Sequence, residues 1–381
     1  MSSTEAVEVI VVGAGAIGLS IAWRAAQRGL RVAVVDPQPG SGASWTAAGM
    51  LAPATELYYG EQELFALNQA SARLYPEFAA ELEAATGQSV GYRAAGTLLT
   101  AWDAADLASL QDLHRFHSSL GLTTSLVTGR ELRRLEPALA PGLPGALLAP
   151  GDHQIDNRRL HSTLLEAAVG CGATIVPARA AVRMTGDRAD GVRLDDGREI
   201  AGGAVVIAGG AWSRGIDGLP EAVRPPVRPV KGQTLRVRAP GPPPLERTVR
   251  ARVRGEAVYI VPRADGELVI GASSEETGFG VEPRAGAVHD LLRDAILVVP
   301  ELAEAHWAGV SASLRPGTPD NAPMIGPTDV AGLLMATGHY RNGILLAPIT
   351  AAAIVDLLVG AAPPAVVRGF APGRFAPAAA S

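Results

Sequence analysis

Apolar and polar residues follow two different periods along the first forty positions of the chain. Residues 9–12 form a short apolar run, VIVV, which is typical of a buried parallel strand. Apolar residues then recur at helical spacing over residues 19–26, and Gly29 ends this pattern. A second apolar run occupies residues 31–35. The pattern predicts a strand, a helix and a second strand, which is the order of a βαβ unit.

The turn between the first strand and the helix reads GAGAIG, which is a G-x-G-x-x-G pattern. In such a turn Gly13 allows the tight bend, Gly15 admits a pyrophosphate close to the backbone, and Gly18 lets the helix pack on the strand. The helix N-terminus, at Ala16 and Ile17, offers backbone N–H groups and the positive end of the helix dipole to phosphates. The unit therefore predicts a dinucleotide site.

An acidic residue follows the second strand, as a dinucleotide site requires. Asp36 stands where a carboxylate can accept hydrogen bonds from an adenosine ribose, and it favours a 2′-hydroxyl over a 2′-phosphate. The alternative is an ordinary βαβ unit without a ligand. The unit alone leaves both NAD and FAD open.

Similar strand and helix patterns return far along the chain. Residues 160–176 predict a helix and a strand, residues 204–212 a strand that enters a glycine turn, and residues 333–359 a strand followed by a helix from Gly343 to Val359. We therefore expect an α/β fold with a discontinuous, Rossmann-like nucleotide-binding domain. This domain is predicted to comprise residues 1–84, 148–227 and 311–381.

The segments between these blocks have a different pattern. Residues 233–237, 258–262 and 267–272 alternate as strands, and residues 285–298 predict a helix. This combination indicates a second, α+β domain with an antiparallel sheet, which binds the substrate. Its predicted parts are residues 85–147 and 228–310. Because pockets commonly form between domains, we expect the site there.

Composition narrows the possible partners. The 381 residues are 48% hydrophobic and carry a formal net charge of −5, which argues against nucleic acid as a partner. Between Arg224 and Arg254, however, basic residues are frequent and Glu246 is the only acid. This segment is either the solvated face of antiparallel strands or a field that attracts anionic substrates.

The single cysteine and the absence of long apolar runs limit the class further. Cys171 excludes an intrachain disulfide and a cysteine-rich metal site, and its context suggests a small buried hydrophobic residue. The sequence shows neither a signal peptide nor an apolar run long enough to span a membrane. We therefore expect a cytoplasmic protein with no membrane partner and no metal.

Two residues on predicted strands are candidates for binding a carboxylate. Arg315 lies in SLRPGTPDNAPMIG and is either a structural salt-bridge partner or a bidentate anchor for a carboxylate. Tyr259 lies in VYIVPR and shares one strand face with Val261. Beside Arg315, the hydroxyl of Tyr259 would complete a carboxylate clamp; taken alone, it is an ordinary strand aromatic.

The stretch GHYRNGILLAP precedes the last predicted helix. This helix is predicted to begin near Asn342 and Gly343, where its N-terminus would suit a ring that becomes anionic on reduction, such as a flavin. The alternative is a simple helix cap preceded by His339 and Arg341. No nucleophile or metal motif occurs, and hydride abstraction by a flavin requires neither.

Taken together, these stretches resemble the D-amino-acid-oxidase-like FAD oxidoreductases, and within that family the bacterial glycine oxidases. The resemblance covers most of the chain. It rests on VVGAGAIGLSIAWRAAQRG, TAAGMLAPATE, PVKGQ, YIVPR with a following GAS, LRPGTPD and GHYRNGILLAP.

The resemblance implies roles for individual residues, beyond the glycine turn and Asp36. Arg315 and Tyr259 would hold the substrate carboxylate, with Met50 and Arg341 close to the substrate. The backbone of Ala181 would meet the adenine, and residues 339–345 would surround the pyrimidine edge of the flavin. The implied cofactor contacts are Ser44, Ala47, Ala48, Gly49, Met50, Ala181, Ala208, Gly209, Gly210, Trp212, His339, Tyr340, Arg341, Asn342, Gly343, Ile344 and Leu345.

The resemblance also implies an activity. It suggests oxidation of glycine or a similarly small amine by FAD, with O₂ as electron acceptor, in a homotetramer, and with the imine product used for the thiazole of thiamine. Ser313 stands where related sarcosine oxidases carry a flavin-linking cysteine, so the FAD is expected to be non-covalent. Ala257 and Val258 replace a polar residue common in the family, which leaves the amine contacts open.

Three other activities stay open at this point. The first is an oxidase for sarcosine, D-proline or D-alanine. The second is a D-amino acid or hydroxyproline dehydrogenase that passes electrons to a quinone. The third is a non-catalytic flavoprotein or RNA-modification subunit, although the sequence shows no RNA-binding module.

Overall fold

The structure is a computed structural model that describes residues 6–375. The helices are α1 (Ala16–Gln27), α2 (Ala43–Thr46), α3 (Gln62–Thr86), α4 (Ala104–Ser119), α5 (Gly129–Leu135), α6 (Asn157–Gly170), α7 (Ala285–Val298) and α8 (Ala347–Leu358). The strands of the first half are β1 (Val7–Val12), β2 (Val32–Val35), β3 (Met50–Leu51), β4 (Thr97–Thr100), β5 (Ser125–Thr128), β6 (Gly145–Ala149), β7 (His153–Gln154), β8 (Thr174–Val176) and β9 (Ala180–Thr185). The strands of the second half are β10 (Arg188–Leu194), β11 (Glu199–Ile207), β12 (Arg228–Arg238), β13 (Thr248–Val253), β14 (Glu256–Pro262), β15 (Glu267–Gly271), β16 (His306–Gly317), β17 (Met324–Pro327) and β18 (Leu333–Thr337).

The first sheet has a parallel centre, in the order β17-β18-β11-β1-β2-β8, and the β9–β10 hairpin extends it beside β11. The strands β1 and β2 are apolar because both of their faces are covered, as parallel sheets require. Helices α1, α6 and α8 pack together on one face, and the buried Trp23 and Phe78 belong to this core. The carboxyl ends of β1, β2 and β11 therefore meet at one edge of the sheet.

The second sheet runs in the order β16-β12-β15-β14-β13-β4-β6-β5. All neighbours are antiparallel except β4 and β13, which pair in parallel. Helix α7 and its buried residues Leu291, Ala295 and Val298 form a separate core with one face of this sheet. The opposite face carries Tyr259 and Val261, which pack with Ala48 from the segment between α2 and β3.

The predicted fold class is confirmed: a Rossmann-like sheet built from distant segments is combined with an α+β part with a largely antiparallel sheet. The domain boundaries stay predictions, and β6 and β16 each run across one of them. Sequence patterns did not reveal the long helix α3 or the strand β13. Among residues 6–375, no helix is both long and apolar enough to cross a membrane.

Two local predictions are wrong. The last helix begins at Ala347 and not near Gly343, because residues 343–346 form turns and Pro348 stands in the first helical turn, where proline is favoured. Cys171 is exposed and not buried, since it caps the solvent end of α6 between two glycines.

The close packing of α1 on β1 depends on Gly18. A Cβ atom at this position would collide with the backbone carbonyl of Gly13, which lies in the turn and cannot move aside. We predict that Gly18→Ala lowers the free energy of unfolding by about 2–3 kcal/mol, as overpacking of a rigid core does, measured by urea denaturation.

Gly170→Ala is the matched control. Like Gly18, Gly170 is a helical glycine, and it is the last residue of α6. The space around its Cβ is open, and alanine is the better helix former. We expect this variant to be as stable as the wild type or slightly more stable. Equal stability of the two variants would contradict the packing role of Gly18.

Candidate functional site

A cavity of about 990 Å³ lies between the two sheets. One wall consists of the carboxyl ends of β1, β2 and β11, and the other of residues from β12, β13, β14 and β16. This volume is at the upper end of the range for small-molecule sites. Cofactor candidates and substrate candidates both line the cavity. Most of the predicted cofactor residues and the predicted substrate residues therefore face one continuous space.

The glycine turn and Asp36 form one end of this cavity. Gly13 has a φ of +116° and lies against the carbonyl of Ala208, so that a side chain would not fit. The backbone N–H of Ala14 donates to Asp36 Oδ2 (2.7 Å), and Asp36 Oδ1 accepts from the N–H of Gln38 (2.8 Å). Asp36 thus shapes the turn and still lines the cavity with its remaining lone pairs.

The segment 44–50 forms the middle of the cavity wall. Ser44 Oγ accepts from the N–H of Ala16 (2.9 Å), which joins the segment to the glycine turn. Asn157 donates to the carbonyl oxygens of Ser44 (2.8 Å) and Trp45 (2.9 Å). Gly49 lies so close to Ile155 that only glycine fits there, and its φ is +72°. These contacts hold Ala47, Ala48 and Met50 along the cavity.

The residues that follow strand β11 continue the first wall of the cavity. Ala208, Gly209, Gly210 and Trp212 line the cavity, and Gly210 has a φ of +56°. The backbone N–H of Ala208 donates to the carbonyl of Val12 (2.8 Å), which extends the β1–β11 pairing to the cavity edge. The glycines leave the backbone exposed toward a ligand.

The turns before α8 close the far end. His339, Tyr340, Arg341, Asn342, Gly343 and Ile344 all line the cavity. Among residues 6–375, the backbone N–H groups of the cavity-lining Gly343 and Ile344 have no hydrogen-bond acceptor, so they are available to a ligand. Burial lowers the pKa of His339 to about 3, and its Nε2 lies 3.0 Å from Thr350 Oγ1. His339 is therefore a neutral wall residue.

The two clamp candidates come together on the second sheet. Arg315 Nη1 donates to the carbonyl oxygens of Ser273 (3.1 Å) and Lys231 (3.5 Å), and within residues 6–375 no carboxylate lies within 4.0 Å of its guanidinium. Burial raises the pKa of Tyr259, an effect that the nearby Arg315 opposes, so the hydroxyl keeps its proton and can donate it. This pair offers a cation and a hydroxyl donor to a small carboxylate.

Two glycines make room for the clamp, and the sequence analysis did not single them out. A Cβ atom at Gly232 would collide with the guanidinium of Arg315, and one at Gly271 would collide with the hydroxyl of Tyr259. Gly271 is the β15 partner of Tyr259, and Gly232 lies in β12 beside β16. Both belong to quoted motifs, PVKGQ and GAS, so a signal was present in the sequence.

Arg341 is near the clamp but is already paired. Its Nη2 lies 3.1 Å from Glu61 Oε2, its Nε lies 3.6 Å from Glu56 Oε2, and its guanidinium stacks 4.2 Å from the ring of Tyr58. Glu56 also lies 2.7 Å from Arg250. The sequence did not point to Arg250 or to a role for Glu56, because nothing local connects the two.

Three predicted cofactor residues do not line the cavity. Gly18 and Leu345 lie behind it, with Gly18 packed on the glycine turn and the carbonyl of Leu345 bound by Ser71 (2.6 Å). Ala181 lines a separate, small cavity, while its neighbours Arg179 and Ala180 line the large one.

Some basic residues of the segment from Arg224 to Arg254 are buried and paired with acidic residues, so the segment matches neither of its two expected roles alone. Lys231 and Arg236 are buried and paired with Glu275 (3.1 Å) and Glu267, respectively. Distant acids therefore neutralise much of the local positive charge.

Comparisons with known proteins agree with this arrangement. The family model described as FAD dependent oxidoreductase (DAO) matches residues 8–357. A glycine oxidase of Geobacillus kaustophilus is 36% identical over 93% of this chain and 93% of its own length. The crystal structure of glycine oxidase from Geobacillus kaustophilus has a TM-score of 0.89 at 35% identity, with 97% of this chain and 99% of that chain covered.

A further relative is longer. The bifunctional protein ThiO/ThiG of Synechocystis sp. is 34% identical over 97% of this chain. The present chain spans about half (54%) of that protein's length.

The fit between Gly232 and Arg315 can be tested directly. Gly232→Ala is predicted to push the flexible guanidinium out of place and to weaken acetate binding at least about tenfold, the loss expected for one charge-assisted hydrogen bond. Isothermal titration calorimetry measures the dissociation constant. Gly286→Ala, in α7 outside the cavity and with open space around its Cβ, is the control and should bind acetate as the wild type does. Wild-type affinity in Gly232→Ala would contradict the proposed fit.

Proposed function

Since this chain belongs to the DAO family of FAD-dependent oxidoreductases, we propose that it oxidises glycine, and related small amines such as sarcosine, to the corresponding imine. One observation carries the proposal. Arg315, a cation without a carboxylate partner among residues 6–375, lies beside the protonated Tyr259 in the same cavity as the dinucleotide turn. Such a cavity can hold an FAD and a small carboxylate side by side.

The residues present fit FAD. The glycine turn and the N-terminus of α1 suit the pyrophosphate, Asp36 suits the ribose, and the N–H groups of Gly343 and Ile344 suit the electron-rich edge of the flavin ring. Ser313, in the position of a flavin-linking cysteine, supports non-covalent binding. When bound, FAD supplies the acceptor for a hydride from the substrate Cα and passes the two electrons to O₂.

The protein's part in the reaction is to bind and orient the substrate. Arg315 and Tyr259 hold the carboxylate, which leaves the Cα–H and the amine to face the cofactor side of the cavity. Ala48 and Met50 form the apolar surface between the two halves and exclude water. His339 is neutral and hydrogen-bonded to Thr350, so its ring does not compete with Arg315 for the substrate carboxylate.

The proposed overall reaction balances with O₂ and water as the only other reactants. Glycine loses two electrons and two protons to give the imine, O₂ takes them up to give H₂O₂, and water converts the imine to glyoxylate and ammonia. The ThiO/ThiG relative supports a second fate for the imine, in which it serves the thiazole of thiamine. We also propose a cytoplasmic location, as the sequence analysis expects, and a homotetramer, which the sequence resemblance supports.

Anaerobic mixing with glycine tests this function. We predict that glycine, and to a different degree sarcosine and D-alanine, bleach the flavin absorption of the purified protein, and that air restores it with one H₂O₂ per flavin reduced. Bleaching without fast reoxidation by O₂ would instead indicate a dehydrogenase. A flavin absorption that none of these amines bleaches would contradict the proposed oxidation.

Two arginine variants sharpen the test. Arg315→Ala should retain FAD and raise the glycine concentration for half-maximal bleaching about 100-fold, because it removes a charge-assisted bond and leaves Tyr259 as the only donor. Arg238→Ala, at an exposed arginine paired with Asp265 (3.6 Å), is the matched control and should behave as the wild type.

A further inference from the structure

Three arginines and two glutamates meet at the substrate end of the cavity. Arg250 Nη1 lies 2.7 Å from Glu56 Oε1, and Arg341 Nε lies 3.6 Å from Glu56 Oε2. Arg341 also pairs with Glu61 at 3.1 Å. Arg315 has no such partner among residues 6–375. The cluster therefore carries one more positive charge than negative charge, which matches one substrate carboxylate.

Glu56 is held firmly in this position. Asp152 is fully buried and accepts hydrogen bonds from the backbone N–H groups of Ala54 (2.9 Å) and Thr55 (2.7 Å) and from the Thr55 hydroxyl (2.7 Å). The side chain of Glu56 is only 11% exposed, between two guanidinium groups. Its carboxylate is thus a fixed part of the wall.

Arg250 lies next to the clamp. It is the cross-strand partner of Tyr259 in the β13–β14 pair, and both residues line the cavity. A substrate that binds through Arg315 and Tyr259 and carries a second anionic group would direct that group toward Arg250. There it would meet the carboxylate of Glu56, which already occupies the guanidinium.

We propose that Glu56 is a specificity-determining residue that restricts the site to substrates with a single carboxylate, because it neutralises Arg250 and repels a second anionic group. The inference rests on the proposed function, since it takes Arg315 as the anchor of the first carboxylate. Glu56 contributes no step of the oxidation. Arg252 follows on the same face of β13 and also lines the cavity, but it is exposed, and solvent and salt weaken its attraction for a second anionic group.

Two variants are expected to change the selectivity in opposite directions. Glu56→Gln keeps the shape of the side chain and removes its charge, so that Arg250 becomes available to a second carboxylate. Arg250→Gln leaves the charge of Glu56 without its closer partner, so that repulsion of a second carboxylate increases. A general disturbance of the site would move both variants in the same direction.

The experiment is a titration of the FAD-bound protein with acetate and with succinate, at a pH at which both acids are fully ionised. The change in flavin absorption gives both dissociation constants without any turnover. For Glu56→Gln we expect the affinity for succinate relative to acetate to rise at least tenfold over the wild type, which corresponds to about 1.4 kcal/mol. For Arg250→Gln we expect this ratio to fall.

Glu8→Gln is the control. Glu8 also pairs with an arginine, Arg31 (3.5 Å), but neither residue lines the cavity, so the ratio should stay within twofold of the wild type. An unchanged ratio in Glu56→Gln, or the same direction of change in Glu56→Gln and Arg250→Gln, would overturn the inference.

The failure of the inference is distinguishable from that of the proposed function. Selective binding does not require that glycine reduces the flavin, so each result can occur without the other. If the function holds, D-aspartate and D-asparagine provide the catalytic counterpart: kcat/KM for D-aspartate relative to D-asparagine should rise in Glu56→Gln. A parallel loss for both substrates would show that Glu56 contacts the substrate amine instead and would overturn the inference.

Discussion

The site depends on one buried cation that joins the second sheet to two segments beside the cofactor side of the cavity. Arg263 follows β14 and donates to the carbonyl oxygens of Ala48 (2.7 Å) and Ile155 (2.9 Å) and to the side-chain oxygens of Gln154 (3.1 Å) and Asn157 (3.2 Å). Burial lowers its pKa to about 10, which still leaves it charged at neutral pH. Because a buried cation must be satisfied by hydrogen bonds, the substrate sheet and the segment around Ala48 have to stay together.

This constraint explains how a discontinuous fold produces one site. The cofactor wall and the clamp belong to different sheets, and neither would bind an amino acid in a reactive position alone. The strand β14 supplies Tyr259 on the face that meets Ala48 and Met50, and its continuation supplies the cation that fixes this contact. Packing and substrate orientation are therefore set by the same strand.

The sequence predicted best those features that local residues determine. The βαβ unit, its glycines and Asp36 lie within one short stretch, and strand alternation placed Tyr259 and Val261 on a shared face. Contacts between distant residues were not predictable in this way. The Glu56–Arg250 pair joins residues far apart in sequence, and the start of α8 was placed too early because glycine and asparagine received more weight than Pro348. The resemblance assigned Ala181 to the adenine, but its neighbour Ala180 is the residue that lines the large cavity.

The most direct test is the crystal structure of the FAD-bound protein with acetate at the substrate end. We expect the acetate oxygens to lie within about 3 Å of the Arg315 guanidinium and the Tyr259 hydroxyl, while Arg250 and Arg341 keep their pairs with Glu56. Acetate bound to Arg341 or Arg250, with Arg315 unoccupied, would contradict this expectation.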